Sequence, residues 1–148
     1  MYSHILIPTD GSALSLKAAK EGAELAKAIG AKVSALYVIP PYSPPYAGEG
    51  VFFNDAFSEK EYLTGMRKHA DKILAKVEAI VAKQQLNCVP ESIVFQTPWE
   101  GIIKGAAKLK CDLIVMASHG RSGISGVVIG SQTNRVLTHS KIPVLVCR

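Results

Sequence analysis

The chain has little of what staples a small secreted protein together. Its 148 residues hold only three cysteines, Cys88, Cys111 and Cys147, widely spaced and odd in number. No C-x-x-C pair and no Cys/His cluster at zinc spacing occurs, so neither a disulfide framework nor a zinc site is expected, and the three thiols read as buried and inert. No apolar run reaches the roughly 20 residues of a membrane span, because Lys, Asp or Glu interrupts each one. The opening Met1-Tyr2-Ser3-His4-Ile5-Leu6-Ile7-Pro8 lacks a basic region ahead of an apolar stretch and is not a secretory signal. These absences point to a soluble, cytoplasmic protein that does not engage a membrane. Lys/Arg runs are missing too, although the net charge is +5. Basic residues such as Lys17, Lys20, Lys68, Lys72 and Lys76 are scattered among acids, the pattern of solvated helix faces, so nucleic acid is not an expected partner. The same charge suits phosphorylated small molecules.

What is present, 48% hydrophobic and 20% charged residues, is the composition of a globular protein, and one domain over 1–148 is expected. Short β-branched runs alternate with amphipathic stretches. Strands are predicted at 4–7, Lys32–Ile39, 91–96, Leu113–Ala117 and 143–147. Between them, 12–29 reads as a helix with Gly30 as its stop, and 58–83 as a long helix opened by a Ser58/Glu61 capping box. Residues 97–110 form a helix with Thr97 as N-cap and Pro98 at its first position, and 131–140 a last helix with Val136 and Leu137 facing inward. Residues 40–57, rich in proline and aromatics including Phe52, Phe53 and Phe57, suit a long loop, a lid or a partner-binding segment. Strands alternating with helices argue a parallel α/β sheet, since parallel neighbours need a crossover. Trp99 reads as packing, and His4, His69 and His139 as surface or helix residues with no shared metal spacing.

The most informative stretch is Ala117-Ser118-His119-Gly120-Arg121-Ser122-Gly123-Ile124-Ser125-Gly126-Val127-Val128-Ile129-Gly130-Ser131. It leaves a buried strand and ends at a helix N-terminus, where ligands bind in open α/β sheets. Glycines let backbone N–H groups approach an oxyanion, and the helix start adds unpaired N–H groups and a positive dipole end. Ser131 and Thr133 supply hydroxyls, and Arg121 is a candidate cation. This is chemistry for phosphate. The spacing fits neither a Walker loop nor the dinucleotide fingerprint, and a plain glycine-rich connection is the bland alternative. Pro8-Thr9-Asp10-Gly11-Ser12 ends the first strand, and a carboxylate there can accept hydrogen bonds from a ribose or hold a metal ion beside a phosphate. Asp10 and Ser12 are also N-cap candidates for the first helix.

The segments Ile5-Leu6-Ile7-Pro8-Thr9-Asp10-Gly11-Ser12, Asp112-Leu113-Ile114-Val115-Met116-Ala117-Ser118-His119-Gly120, Gly130-Ser131 and Pro143-Val144-Leu145-Val146 together resemble the universal stress protein family along the whole chain. The ATP-binding branch of that family carries G-x2-G-x9-G-[ST]. Here Ala117, Gly120, Gly130 and Ser131 occupy those positions, with alanine for the first glycine. The resemblance implies a doubly wound five-stranded parallel sheet of order 3-2-1-4-5 with helices on both faces, the adenine nucleotide alpha-hydrolase-like fold. It implies ATP or AMP as ligand, with Asp10 at the ribose and Pro8 and Thr9 lining the pocket. Val38 would offer backbone groups to adenine, while Met116 and Ala117 flank the ribose. His119, Gly120, Arg121, Gly130, Ser131, Gln132 and Thr133 would surround the phosphates. No metal set of the chain's own is expected; Mg²⁺ would enter through the phosphates and Asp10. The resemblance further implies a homodimer paired through the C-terminal strand, Pro143 to Cys147, and a stress-response or signalling role. Catalysis is expected to be at most slow ATP hydrolysis, with Asp10 and His119 the only candidates and His119 read as capping a backbone turn. A phospho-acceptor receiver is excluded, since Gln96-Thr97-Pro98 stands where its acceptor Asp belongs.

Overall fold

The structure, a computed structural model, describes residues 1–43, 58–120 and 129–148. In chain order the elements are β1 (His4–Pro8), α1 (Ala13–Ile29), β2 (Lys32–Ile39), α2 (Glu59–Ala82), β3 (Cys88–Val94), α3 (Pro98–Lys108), β4 (Leu113–Ala117), α4 (Ser131–His139) and β5 (Val144–Cys147). The strands form one five-stranded sheet of order β3-β2-β1-β4-β5, every pair parallel. Period-2 alternation splits the core between the faces. Ile5, Ile7 and Val115 join the side covered by α1 and α2, while Leu6, Ile114 and Met116 join the side covered by α3 and α4. Both faces are covered, which is why β4 is buried at every position.

The helix signals act as the sequence predicts. Ser12 caps α1 by accepting from the Ser15 N–H, and Gly30 ends it at φ 71°. Ser58 and Glu61 form a reciprocal capping box at the start of α2. The structure differs in five places. First, β3 starts at Cys88 rather than at 91 and runs through Pro90. An edge strand has one row of unpaired N–H positions, so a proline costs no ladder bond there. Second, Thr97 makes no side-chain cap; its hydroxyl donates to Glu100 Oε2 at 2.6 Å instead, and α3 ends at Lys108. Third, Leu137 is 39% exposed, because α4 turns only Thr133 and Val136 fully inward. Fourth, His4 is a half-buried strand residue whose Nε2 pairs with the buried Ser34 Oγ at 2.8 Å. Fifth, Cys88 is half-buried, whereas Cys111 and Cys147 are buried and all three are free. Desolvation pushes the Cys88 and Cys111 thiols up to about 11 and Cys147 to about 12, so none is a ready thiolate at neutral pH. The aromatic stretch with Phe52, Phe53 and Phe57 lies outside the described residues.

At the amino-terminal end of the sheet, Asp112 ties β1 to β4. Its carboxylate accepts from the Ser3 N–H at 2.8 Å, the Ser3 hydroxyl at 2.7 Å and the His4 N–H at 2.8 Å. Desolvation pushes its pKa up, but these donors together outweigh it and hold the carboxyl down at about 2.

Candidate functional site

The opposite, carboxyl-terminal rim carries a cavity of about 480 Å³. Order 3-2-1-4-5 places the reversal of strand order between β1 and β4, so the loops after them lead away to opposite faces and leave a crevice. β1 delivers Pro8, Thr9 and Asp10 to that crevice; β4 and the residues after it deliver Met116, Ala117, His119 and Gly120; the start of α4 delivers Gly130, Ser131, Gln132 and Thr133; and β2 delivers Val38. Every site residue predicted from sequence therefore stands around one cavity except Arg121, which lies outside the described residues. The described side chains leave the crevice open rather than filling it.

The β1 end is held by local hydrogen bonds. The Thr9 N–H continues the ladder to Leu36 O at 2.9 Å, and its hydroxyl shares a 2.9 Å bond with Ser15 Oγ. Between the two N-cap candidates, Ser12 takes the helix, and the Asp10 Oδ1 accepts from the Ser12 N–H at 2.9 Å. The other Asp10 oxygen lies against Gly120, where a Cβ would stand 2.5 Å from Oδ2. Glycine at 120 thus lets the carboxylate and the backbone after β4 occupy adjoining space.

Gly130 works by close approach as well. Its φ is −70°, so no left-handed backbone is required, yet a Cβ would lie 3.0 Å from the His119 Cβ and 3.1 Å from its Cα. The Gly130 N–H donates to Ser118 O at 2.7 Å, and Thr133 Oγ1 donates to Ala117 O at 2.9 Å. These contacts seat the N-terminus of α4 on the end of β4. No side chain caps that N-terminus among the described residues, and the residues of its first turn line the cavity. First-turn N–H groups lack intrahelical partners, so they suit an anion.

Ala117 sits in regular strand pairing with Cys147, and the Ser118 N–H donates to Cys147 O at 2.8 Å. Among the described non-glycine residues only Gln85 and Lys110 have positive φ, so the methyl of Ala117 costs no backbone strain. Among the described residues the His119 Nδ1 pairs with the Ser118 hydroxyl at 3.2 Å. Asp10 is the only carboxylate on the described lining.

Ser15, Tyr37, Pro98 and Ile102 also line the cavity and were missed from sequence. Tyr37 and Val38 point to opposite faces of β2, yet at the rim both border the crevice. Their neighbourhood with the first turns of α1 and α3 is set by packing, which no local motif announces.

Fold and site together define a class: a doubly wound parallel α/β protein with an open crevice and a glycine-bounded helix N-terminus at its topological switch point. Within that class, the chain belongs to the universal stress protein family, whose model matches residues 1–148. A universal stress protein of Methanocaldococcus jannaschii is 33% identical over 153 residues, covering 100% of this chain and 83% of that one. The universal stress protein UspA from Lactobacillus plantarum superposes with a TM-score of 0.78 at 26% identity, covering 99% of this chain and 98% of the other. A universal stress protein solved in complex with cAMP gives a TM-score of 0.72 at 25% identity, with 99% and 97% covered.

Proposed function

We propose that this protein binds an adenine nucleotide, ATP or AMP, at the carboxyl ends of β1 and β4 and serves as a nucleotide-dependent stress-response or signalling module. The observation that carries the reading is the open cavity of about 480 Å³ that joins Asp10 to the uncapped start of α4. Its volume is that of a small-ligand site, within the usual range of about 300–1,000 Å³. The similar protein in complex with cAMP supports an adenine ligand. In this reading Asp10 accepts from the ribose hydroxyls, and Pro8, Thr9, Met116 and Ala117 pack around the sugar. Val38 offers main-chain groups to the base. His119, Gly120, Gly130, Ser131, Gln132 and Thr133 surround the phosphates, with Arg121 next to Gly120 in sequence. Mg²⁺ enters with the phosphates and is met by Asp10, the lining carboxylate.

Two further parts of the reading concern the whole molecule. The protein forms a homodimer through the edge of β5, and it works in the cytoplasm, where free thiols such as Cys111 and Cys147 stay reduced. Isothermal titration with ATP, AMP and cAMP tests the ligand: heat with at least one of them is expected, and silence with all three at millimolar concentration overturns the reading. Mass analysis of whatever denaturation releases from the purified protein identifies the occupant.

A further inference from the structure

Gln132 is the second residue of α4 and lines the cavity. A carboxamide can turn either an acceptor oxygen or a donor NH₂ group toward a ligand, and its neighbours decide which. Here the main-chain N–H of Trp99, in the first turn of α3, donates to Gln132 Oε1 at 3.2 Å. That N–H has no partner within its own helix. Thr97 does not supply one either, because its hydroxyl is engaged with Glu100. The group facing a main-chain donor must be an acceptor, so the amide oxygen of Gln132 is held toward α3.

Trp99 is itself fixed against α4. Its indole packs against the His139 ring, centroids 4.7 Å apart and planes tilted by 38°, and the Arg135 guanidinium lies 6.0 Å from the indole ring centroid. The start of α3 is thereby tied to the start of α4 through Gln132 and to its end through His139. Neither tie involves a motif that phosphate chemistry alone would require.

We infer that Trp99 is a positioning residue whose main-chain N–H makes Gln132 a dedicated hydrogen-bond donor, so that the cavity discriminates phosphorylated adenosine from adenosine. This rests on the adenine-nucleotide reading of the site. The Trp99 N–H takes one lone pair of Oε1 and holds that oxygen toward α3, which leaves the Nε2 hydrogens as the end of the carboxamide directed away from it. A donor serves an anionic phosphate, where hydrogen bonds are about twice as strong as neutral ones, and gains nothing from an uncharged hydroxymethyl group in its place.

The test titrates wild-type protein, Gln132→Glu and Gln132→Met with AMP and with adenosine. Glutamate keeps an acceptor for the Trp99 N–H but replaces the donor by a carboxylate oxygen. The ratio of AMP to adenosine affinity is expected to fall about tenfold or more in the Glu variant, from the loss of a charge-assisted bond and the new repulsion. It falls less in the Met variant, which removes the donor without adding charge. A Glu variant that keeps the wild-type ratio while the Met variant loses it assigns Gln132 a purely structural part and overturns the inference. An unchanged ratio in the Met variant overturns it as well, whatever the Glu variant does, because repulsion by the new carboxylate alone lowers the ratio there. Wild-type protein that binds neither compound overturns the adenine-nucleotide reading, and this inference with it.

Discussion

Asp10 and Gly120 come from opposite ends of the chain, yet each defines the space the other occupies. Alanine at 120 would put a methyl 2.5 Å from Asp10 Oδ2, so the carboxylate would have to leave the position it shares with the Ser12 N–H. Gly120→Ala is therefore expected to lower adenine-nucleotide affinity by about tenfold, while stability changes little, because Gly120 is exposed and the displaced atom is the tip of a partly exposed side chain. Calorimetric titration and urea unfolding of the variant check both parts; unchanged affinity would remove Asp10 from the site. Ala117 shows the opposite case. It replaces a motif glycine, but its backbone is ordinary strand, so the substitution is absorbed without strain. The residue types at this site were legible from sequence because glycine, aspartate and hydroxyl side chains carry distinctive local chemistry. Which of them touch was not, as with Ser15 and Tyr37, whose types give no signal of a cavity.

At the scale of elements, caps were readable and edges were not. Ser12, Gly30 and the Ser58/Glu61 box act within a few residues, and the helices they delimit match the sequence reading closely. The start of β3 was misread because Pro90 is a breaker in a central strand and harmless on an edge, and edge status is a property of the sheet. The staple between β1 and β4 is likewise tertiary: Asp112 meets Ser3 and His4 across more than 100 residues of chain. Its carboxyl is held at about 2 against a usual value of 3.8, so the folded state favours its ionised form. The stability this contributes is complete above the unfolded value and is lost as pH falls toward about 2. Urea midpoints measured across that acid window should drop less steeply for Asp112→Asn than for wild type, with the variant less stable near neutrality. Parallel acid limbs for the two proteins would show that the carboxylate contributes nothing to folding.

For the whole molecule, the sheet has two edges of different character. β3 carries Pro90 and the Glu91–Lys108 ion pair at 2.9 Å, features that discourage pairing. β5 ends in Val144-Leu145-Val146-Cys147 with Leu145 43% exposed. The proposed homodimer uses this second edge, so Leu145→Lys should convert a dimeric sedimentation profile at micromolar concentration into a monomeric one. A wild-type profile that is already monomeric would end the dimer proposal.

By itself the sequence determined the alternation of strands and helices and the helix ends, and it pointed to phosphate as the chemistry suited to the stretch after β4. All of these arise from side-chain periodicity and from hydrogen bonds within a few residues. Only the tertiary structure decided that Asp10 lies against Gly120, that Ser15, Tyr37, Pro98 and Ile102 border the same crevice, and that Trp99 turns the Gln132 carboxamide. Those relations depend on the strand order, which brings β1 beside β4 and lets two helix N-termini converge above them. Contacts between residues far apart in the chain are created by that packing, and no local pattern encodes them.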